Sequence, residues 1–578
     1  MRSASRVGRF RRPQFVAGLC AAALFLPAAA PLGSRPAAAA SAQDLGLETT
    51  MKMPLVVFNV AGVERLLGDV KYMFTAIERP EIFETLEGLL GNVGNLRGLD
   101  RTKPFGVMLY VELGFPPRPE PVAYLPASDI DQLMRTMNVG PLTTRKIGTG
   151  EGRYEIEIPE RDGRQALQAR LINGYVFIAR TAEVLDRDFP DPATFTSALT
   201  SRYDLAVRAD LDSVPKGMKT LFLDYLRAET EAQLQQRDGE PDAQYQMRRL
   251  GGMNNLELLE GLLTDGKDLT FGIDASAENQ RVAVEFAINA APDSKFAKQL
   301  TDLGGRRSYF TAALDEQVPL AASASWASQK REQERNAAAL DTIEKALAQR
   351  LQDENIDATG VADVFTALRA TNEGGHFDAF VRMAGSPPGP FVLVGGLRVQ
   401  QGRTLARGVT SLLNAIPDKP PALEMNADSH NGVTFHRLVF ADAPPPIRRV
   451  FGEQPAFYAG AASDAVWFAL GGTDAMPSLR EAMNRVAEAT AAGVRARETA
   501  APFRLIVRTS NWLGFGGEQD TDRQMAEQAF AKGQDTLTVE VRPTDSGVRT
   551  QIVLEEGFIR WLGLQVARNF DRRSQERP

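Results

Sequence analysis

The chain has 578 residues, of which 43% are hydrophobic, 24% charged and 8% aromatic, with a formal net charge of −7. These values are typical of folded proteins and exclude an intrinsically disordered chain. With 49 glycines and one cysteine, the composition also excludes a collagen-like chain and a disulfide-rich framework. The length corresponds to about three or four domains, or to fewer large ones.

The first 42 residues have the pattern of a secretory signal peptide. This segment contains six arginines and no acidic residue, and an apolar run extends from Phe15 to Ala30. A small-x-small motif, with Ala40 and Ala42 as its small residues, follows the run and predicts cleavage before Gln43. We therefore expect a signal peptide at 1–42 and a short mature N-terminal segment at 43–52.

Two other interpretations of this segment remain open. An uncleaved membrane anchor is disfavoured because Pro27 and Pro31 interrupt the apolar run, which is shorter than the roughly 20 residues of a spanning helix. The Arg11-Arg12 pair resembles a twin-arginine export signal, although its spacing from Phe15 differs from that pattern. The sequence does not distinguish general secretory from twin-arginine export.

Cleavage would change the chemistry of the mature chain. It removes Cys20 and six arginines, so the formal charge falls from −7 to −13 and no thiol remains for a disulfide or a thiolate metal site. An acidic chain with scattered basic residues is a poor candidate for nucleic-acid binding. No other segment is long and apolar enough to cross a bilayer. We therefore expect a soluble periplasmic or secreted protein without a transmembrane segment or a nucleic-acid partner.

Short motifs recur in the same order along the two halves of the mature chain, which indicates an internal duplication. The paired segments are Pro54-Leu55 and Pro319-Leu320, the turns at 114–119 and 385–390, Gly152 and Gly432, the strands at 175–179 and 465–469, the strands at 205–208 and 505–508, and the segments 269–271 and 537–539. The pattern predicts two repeats, at 53–305 and 306–578.

The elements between these motifs indicate an α+β fold. Leu205, Val207 and Ala209 alternate with polar residues, as in a half-buried strand. Segments such as 326–352 have the spacing and composition of amphipathic helices. Hairpin-connected strands outnumber strand–helix–strand units, so we expect two tandem related lobes of mostly antiparallel sheet with helices packed on one face.

The mature chain offers few candidates for catalysis or metal binding. His430 and His436 flank an Asn-Gly turn, six residues apart, which does not match the three- or four-residue spacing of a helical metal pair. His376 begins a strand. Gly148–Gly152 precedes a strand and not a helix, so it is a turn and not a phosphate-binding loop. We expect no metal and no cofactor.

Arg208 and Arg508 are the only charged residues that the motif alignment places at matching positions in the two halves. Their side chains should point away from the apolar face of the strand. A salt bridge is the ordinary role for such residues. A duplicated anion-binding position is the alternative, and these two arginines are therefore the candidate ligand-binding residues.

The chain resembles large secreted bacterial proteins of unknown function. The features that carry the resemblance are an Ala-rich signal, repeated strand–helix units, the motif Leu211-Asp212-Ser213-Val214-Pro215 and paired hairpins near the end of each half. The resemblance covers residues 50–578 loosely. It implies export and an α+β fold, and it assigns no catalytic residue.

These observations favour a non-enzymatic binding protein or envelope-associated scaffold, with an unknown envelope or extracellular ligand or protein as its partner. The alternative is an extracytoplasmic hydrolase whose catalytic residues converge only in three dimensions. A cell-surface structural subunit is a third hypothesis.

Overall fold

The computed structural model describes residues 52–92, 96–112, 118–138, 142–147, 152–160, 163–240, 242–314, 317–385, 389–416, 422–492, 501–515 and 521–575. The expected signal peptide and its cleavage site at Ala40, Ala42 and Gln43 lie outside these residues. The chain divides into two units, Met1–Thr49 with Leu113–Arg118, and Thr50–Glu112 with Pro119–Pro578. Of the first unit only Arg118 is described, so the features below belong to the second.

Each half of the chain contributes ten strands in the described residues. The first ten are β1 (Val56–Val60), β2 (Phe105–Glu112), β3 (Arg118–Pro126), β4 (Thr143–Lys146), β5 (Arg153–Glu160), β6 (Gly163–Ile172), β7 (Tyr175–Ala179), β8 (Leu205–Asp210), β9 (Gly266–Ser276) and β10 (Arg281–Ala290). The second ten are β11 (Leu320–Ala327), β12 (His376–Ala384), β13 (Val392–Arg398), β14 (Leu423–His430), β15 (Val433–Val439), β16 (Ala456–Ala461), β17 (Ala465–Gly471), β18 (Phe503–Arg508), β19 (Thr536–Pro543) and β20 (Gly547–Glu555).

The α-helices occupy corresponding connections in the two halves, with an additional helix between β15 and β16. In the first half they are α1 (Val63–Ala76), α2 (Pro80–Asn92), α3 (Ile130–Met137), α4 (Pro192–Phe195), α5 (Ser197–Thr200), α6 (Lys216–Gln233), α7 (Asp242–Asp265) and α8 (Lys295–Thr301). In the second half they are α9 (Lys330–Asp353), α10 (Thr359–Glu373), α11 (Gly402–Ala415), α12 (Pro445–Phe451), α13 (Ala475–Ala491), α14 (Thr521–Phe530) and α15 (Glu556–Gln575).

All twenty strands belong to one sheet, and every pairing with a described register is antiparallel. In the first half the spatial order is β4-β5-β6-β7-β3-β2-β1-β8-β9-β10. In the second half it is β14-β15-β16-β17-β13-β12-β11-β18-β19-β20, which is the same order with ten added to each number. The α+β class and the antiparallel sheet are thereby confirmed.

The two halves meet where β10 pairs with β20. Glu285 and Gln551 lie opposite each other at the centre of this pairing. The expected boundary at 305 and 306 falls between β10 and β11, which are not paired with each other. The two halves therefore form one continuous sheet.

The helices pack on both faces of this sheet, whereas the sequence pattern predicted helices on one face only. On one face of β17, Trp467 lies in a buried core with Met476 and Leu479 of α13. On the opposite face, Val466 lines a cavity of about 300 Å³ with Leu405 of α11. Successive side chains of a strand point to opposite faces, so α11 and α13 cover different sides.

Candidate functional site

One face of the sheet carries a continuous row of apolar side chains across both halves. Directly opposite residues of an antiparallel pair point to the same face, so the register defines such rows. The row through Phe286 crosses twelve strands: Val107, Phe58, Val207, Phe271, Phe286, Thr550, Val541, Phe503, Ala324, Ala379, Leu397 and Val466. Thr550 is its only polar member. We call this side of the sheet the Phe286 face.

A neighbouring row on the Phe286 face is also free of charge. From β2 to β17 it consists of Phe105, Val60, Leu205, Ile273, Val284, Ile552, Val539, Leu505, Ala322, Val381, Gly395 and Phe468. Ala459 and His436 continue it on β16 and β15. Strands of both halves contribute to each row, which is continuous only because β10 pairs with β20.

Large apolar side chains on the Phe286 face remain open to solvent. Phe58 is 43% exposed, Phe286 and Phe377 are each 38% exposed, and Val107 is 36% exposed. Soluble proteins normally cover such a sheet face with a second layer, and contiguous exposed apolar surface marks an interaction site. The Phe286 face is therefore a candidate binding surface.

The opposite face of the central strands carries charged residues. Glu285 is 4% exposed, and its carboxylate accepts hydrogen bonds from Arg202 Nη2 at 2.9 and 3.1 Å and from the Tyr203 hydroxyl. Arg549 Nε lies 3.0 Å from Glu285 Oε1. These ion pairs bring β10 of the first half together with β20 of the second. The charges are thus segregated from the Phe286 face.

The two candidate arginines do not occupy equivalent positions. The backbone N–H of Asp210 donates to the carbonyl of Leu55, and that of Arg508 donates to the carbonyl of Pro319. Because these bonds are the same link in each half, Arg508 is the counterpart of Asp210 and not of Arg208. The motif alignment was displaced by two residues at this strand, which preserves the face but not the register.

The structure does not bring Arg208 and Arg508 together. Arg208 Nη2 lies 3.6 Å from Asp268 Oδ2 on the charged face. Arg508 Nη2 donates to Gln317 Oε1 at 2.8 Å. Both contacts belong to the local packing of β8 and β18, and nothing in them forms a shared anion site.

A cationic cavity of about 390 Å³ lies at the β12 and β13 end of the second half. Its lining includes Arg306, Arg307, Arg398 and His376. Arg398 lies over the ring of Tyr309, with its guanidinium carbon 5.4 Å from the ring centre. Within the described part of the chain, none of the three arginines forms an ion pair. The sequence pattern does not predict this cluster, and its one local signal is the Arg306-Arg307 pair after a glycine turn.

A second cavity, of about 330 Å³, adjoins the cationic cavity and is lined partly by apolar side chains. Thr371 and His376 line both cavities, and Leu340, Leu368 and Phe377 line only the second. The ring of Phe377 stacks on Trp326, with 4.4 Å between centroids. Trp326 and Phe377 lie opposite each other on the Phe286 face, so the second cavity reaches the edge of that face.

His376 is held by a hydroxyl and not by a carboxylate. Its Nε2 lies 3.0 Å from Ser325 Oγ, and burial lowers its pKa, with further lowering by Arg398 and Arg306. The nearby Asp378 is buried and accepts hydrogen bonds from Ser308 Oγ at 2.7 Å and from the Tyr309 N–H at 2.6 Å. Burial raises the pKa of Asp378. These contacts do not align Ser325, His376 and Asp378 as a catalytic triad.

The other histidines also make local contacts. His430 Nε2 lies 2.8 Å from Asn484 Oδ1, and His436 Nε2 lies 3.3 Å from Thr410 Oγ1. Across the described ranges, no three His, Cys, Asp or Glu residues are grouped so that they could hold a metal ion. Among those same residues, no helix combines the length and apolarity needed to cross a bilayer.

The chain matches no protein-family model, no curated protein and no solved structure. The candidate site is therefore defined by its own geometry, which consists of the Phe286 face and the cationic cavity at its edge.

Proposed function

We propose that this chain is an exported, internally duplicated, non-enzymatic binding protein of the cell envelope, and that it holds amphiphilic ligands by their apolar chains. The observation that carries the proposal is the set of apolar rows on the Phe286 face, with large side chains left open to solvent. Export to the periplasm or the cell exterior is part of the proposal because of the signal-peptide pattern at residues 1–42.

The chemistry of the face suits a hydrocarbon chain better than a peptide strand. A peptide that extends a sheet needs free backbone groups at a sheet edge. The Phe286 face offers side chains of Phe, Val, Leu and Ile instead, and central strands whose backbone groups are paired on both sides. Burial contributes about 0.8 kcal/mol for each CH₂ group, so ten covered methylenes would contribute roughly 8 kcal/mol before the costs of association.

The duplication supports this function physically. Each half supplies the same strand order, and joining them at β10 and β20 doubles the width of apolar surface that one half presents. A duplicated binding surface needs no catalytic group at equivalent positions. The two halves do carry different polar residues at equivalent positions, such as Asp210 in the first half and Arg508 in the second.

The hydrolase alternative rests on one observation, the hydrogen bond between Ser325 and His376. Ser325 is 1% exposed and does not line the cavity that His376 lines. A nucleophile must reach the carbonyl group of the substrate, and the buried Ser325 hydroxyl is not accessible to a substrate in that cavity. We therefore favour binding. The hydrolase would be established instead if the purified protein hydrolysed p-nitrophenyl butyrate and Ser325→Ala abolished that turnover.

The direct test is a fluorescence titration of the purified protein with cis-parinaric acid, whose polyene chain emits strongly in an apolar environment. We expect a saturable increase that unlabelled palmitate displaces. The same protein should yield amphiphiles when it is isolated from its own envelope and extracted for mass spectrometry. A linear, non-saturable signal together with a lipid-free extract would refute the proposal.

Export has a separate test. Sequencing the N-terminus of protein from the envelope fraction should show a chain that begins at Gln43. A chain that retains Met1 and is confined to the cytoplasm would refute export without affecting the binding assay.

A further inference from the structure

We infer that the cationic cavity lined by Arg306, Arg307, Arg398 and His376 binds a phosphate-type anion, and that this anion is the head group of the ligand whose chains lie on the Phe286 face. The inference rests on the proposed function for the chains, whereas the anion site itself rests on the cavity alone.

The charge of the cavity is the first argument. Three arginines and one histidine line a space of about 390 Å³. Clustered like charges repel each other unless an anion compensates them, and no ion pair to a described residue does so here. The charge of Arg398 acts on the buried carboxylate of Asp378, but that carboxylate accepts its hydrogen bonds from Ser308 and Tyr309 and not from Arg398. Arginine is well suited to phosphate because its planar fork donates two parallel hydrogen bonds.

The cavity is built from separate elements that the fold brings together. Arg306 and Arg307 follow Gly305, which has a φ of +77° and turns the chain after α8. Arg398 ends β13 and His376 begins β12. The Gln400 N–H donates to Thr371 Oγ1 at 2.8 Å and ties the loop after β13 to α10. The volume is within the range of small-molecule sites.

Among the described residues, the first half has no second copy of this site. The Val399 N–H donates to the carbonyl of Asp464, and the Ala127 N–H donates to the carbonyl of Gly174, so these two bonds correspond. The counterpart of Arg398 in the first half is therefore Pro126, which carries no charge. One anionic group would bind to each chain, whereas the apolar rows extend over both halves.

The anion site and the apolar face adjoin at the start of β12, where His376 points to the opposite side of the sheet from Phe377. The cavity lined by Leu340, Leu368 and Phe377 shares Thr371 and His376 with the cationic cavity. Phe377 then stacks on Trp326, which lies on the Phe286 face. A phosphate held by the arginines can therefore be covalently attached to a chain that leaves along apolar side chains.

Calorimetric titrations with three probes test the inference. These are 1-oleoyl lysophosphatidic acid, 1-oleoylglycerol, which has the same chain without phosphate, and glycerol 3-phosphate, which has the phosphate without the chain. We expect the wild-type protein to bind the lysophosphatidic acid at least tenfold more tightly than either of the others. Arg306→Gln with Arg398→Gln should reduce the preference over 1-oleoylglycerol to less than threefold and leave the affinity for 1-oleoylglycerol unchanged.

Arg403→Gln is the matched control, because it removes an exposed arginine of α11 that does not line the cavity. It should leave all three affinities unchanged. An unaltered preference for lysophosphatidic acid in the double variant would overturn the anion site. If glycerol 3-phosphate binds as tightly as lysophosphatidic acid, the anion site stands, but its link to the Phe286 face is wrong. If 1-oleoylglycerol fails to bind while glycerol 3-phosphate binds, the proposed function fails and the anion site stands.

Discussion

Replacing Phe286 with serine should weaken binding of an apolar chain much more than the same change at Phe440. Phe286 lies in the centre of its row, opposite Phe271 and Thr550, and is 38% exposed. Phe440 follows β15, lies outside the rows and is 39% exposed. The two variants therefore make the same chemical change at the same exposure, and they differ in whether the residue lies in the central row or beyond β15, at the far end of the sheet.

The exposed fraction determines the expected loss of affinity. A phenylalanine presents roughly 200 Å² in all, so the 38% that is exposed corresponds to about 75 Å² available to a ligand. At about 25 cal/mol per Å², covering that area contributes about 2 kcal/mol, which is roughly a 25-fold change in Kd. The buried remainder of about 125 Å² corresponds to about 3 kcal/mol of folding free energy, and this loss should be similar for both variants.

The assay is the cis-parinaric acid titration, with urea denaturation of each variant in parallel. Phe286→Ser should raise the Kd about 25-fold, whereas Phe440→Ser should leave it within twofold of the wild-type value. Equal Kd values for the two variants, at matched stability, would contradict the assignment of the ligand to the central row of the Phe286 face.

Three further predictions concern stability. Glu285→Ala should lower the free energy of unfolding by about 3 kcal/mol, because it leaves Arg202 and Arg549 without their buried partner. A loss under 1 kcal/mol in urea denaturation would show that solvent takes the place of the Glu285 carboxylate beside these arginines. Phe380→Ala should cost about 4 kcal/mol, since Phe380 is fully buried against Trp467, and a melting temperature unchanged from wild type would be inconsistent with that core. Burial and then the charge of Asp204 raise the pKa of Asp69 to about 7, so the folded state holds this proton more tightly than the unfolded state. The stabilising contribution of this proton is complete below pH 4 and is lost as the pH rises to about 7. Over that range the free energy of unfolding of the wild type should therefore fall by roughly 2 kcal/mol relative to that of Asp69→Asn. Parallel profiles of stability against pH would argue against the raised pKa.

Local sequence patterns were sufficient for the fold class and for which face of a strand each residue occupies. The alternation of Leu205, Val207 and Ala209 predicted a strand with one apolar face, and these residues do lie on the Phe286 face. Side chains of a strand alternate between its two faces, so an alignment error of two residues does not change the predicted face. Aligning Arg208 with Arg508 was wrong by two residues in register, yet both arginines point to the same side of the sheet.

The candidate site depended on contacts that no local pattern contains. Phe286 faces Phe271 through a hairpin, but it faces Thr550 only because β10 pairs with β20 across the two halves. The apolar rows therefore depend on the order of the strands in the sheet. Likewise, Arg306 and Arg398 are far apart in the chain and approach each other through turns and strand ends.

The sequence by itself thus determined the α+β class, the antiparallel pairing within hairpins and the side of each strand that is apolar, since these depend on residues a few positions apart. Tertiary structure decided that the two halves share one sheet, that the Phe286 face stays partly open and that three arginines surround one cavity. The physical reason is that side-chain periodicity encodes which way a residue points from its own backbone. Which distant residue it then meets depends on strand order and register, and these are set by the packing of the whole chain.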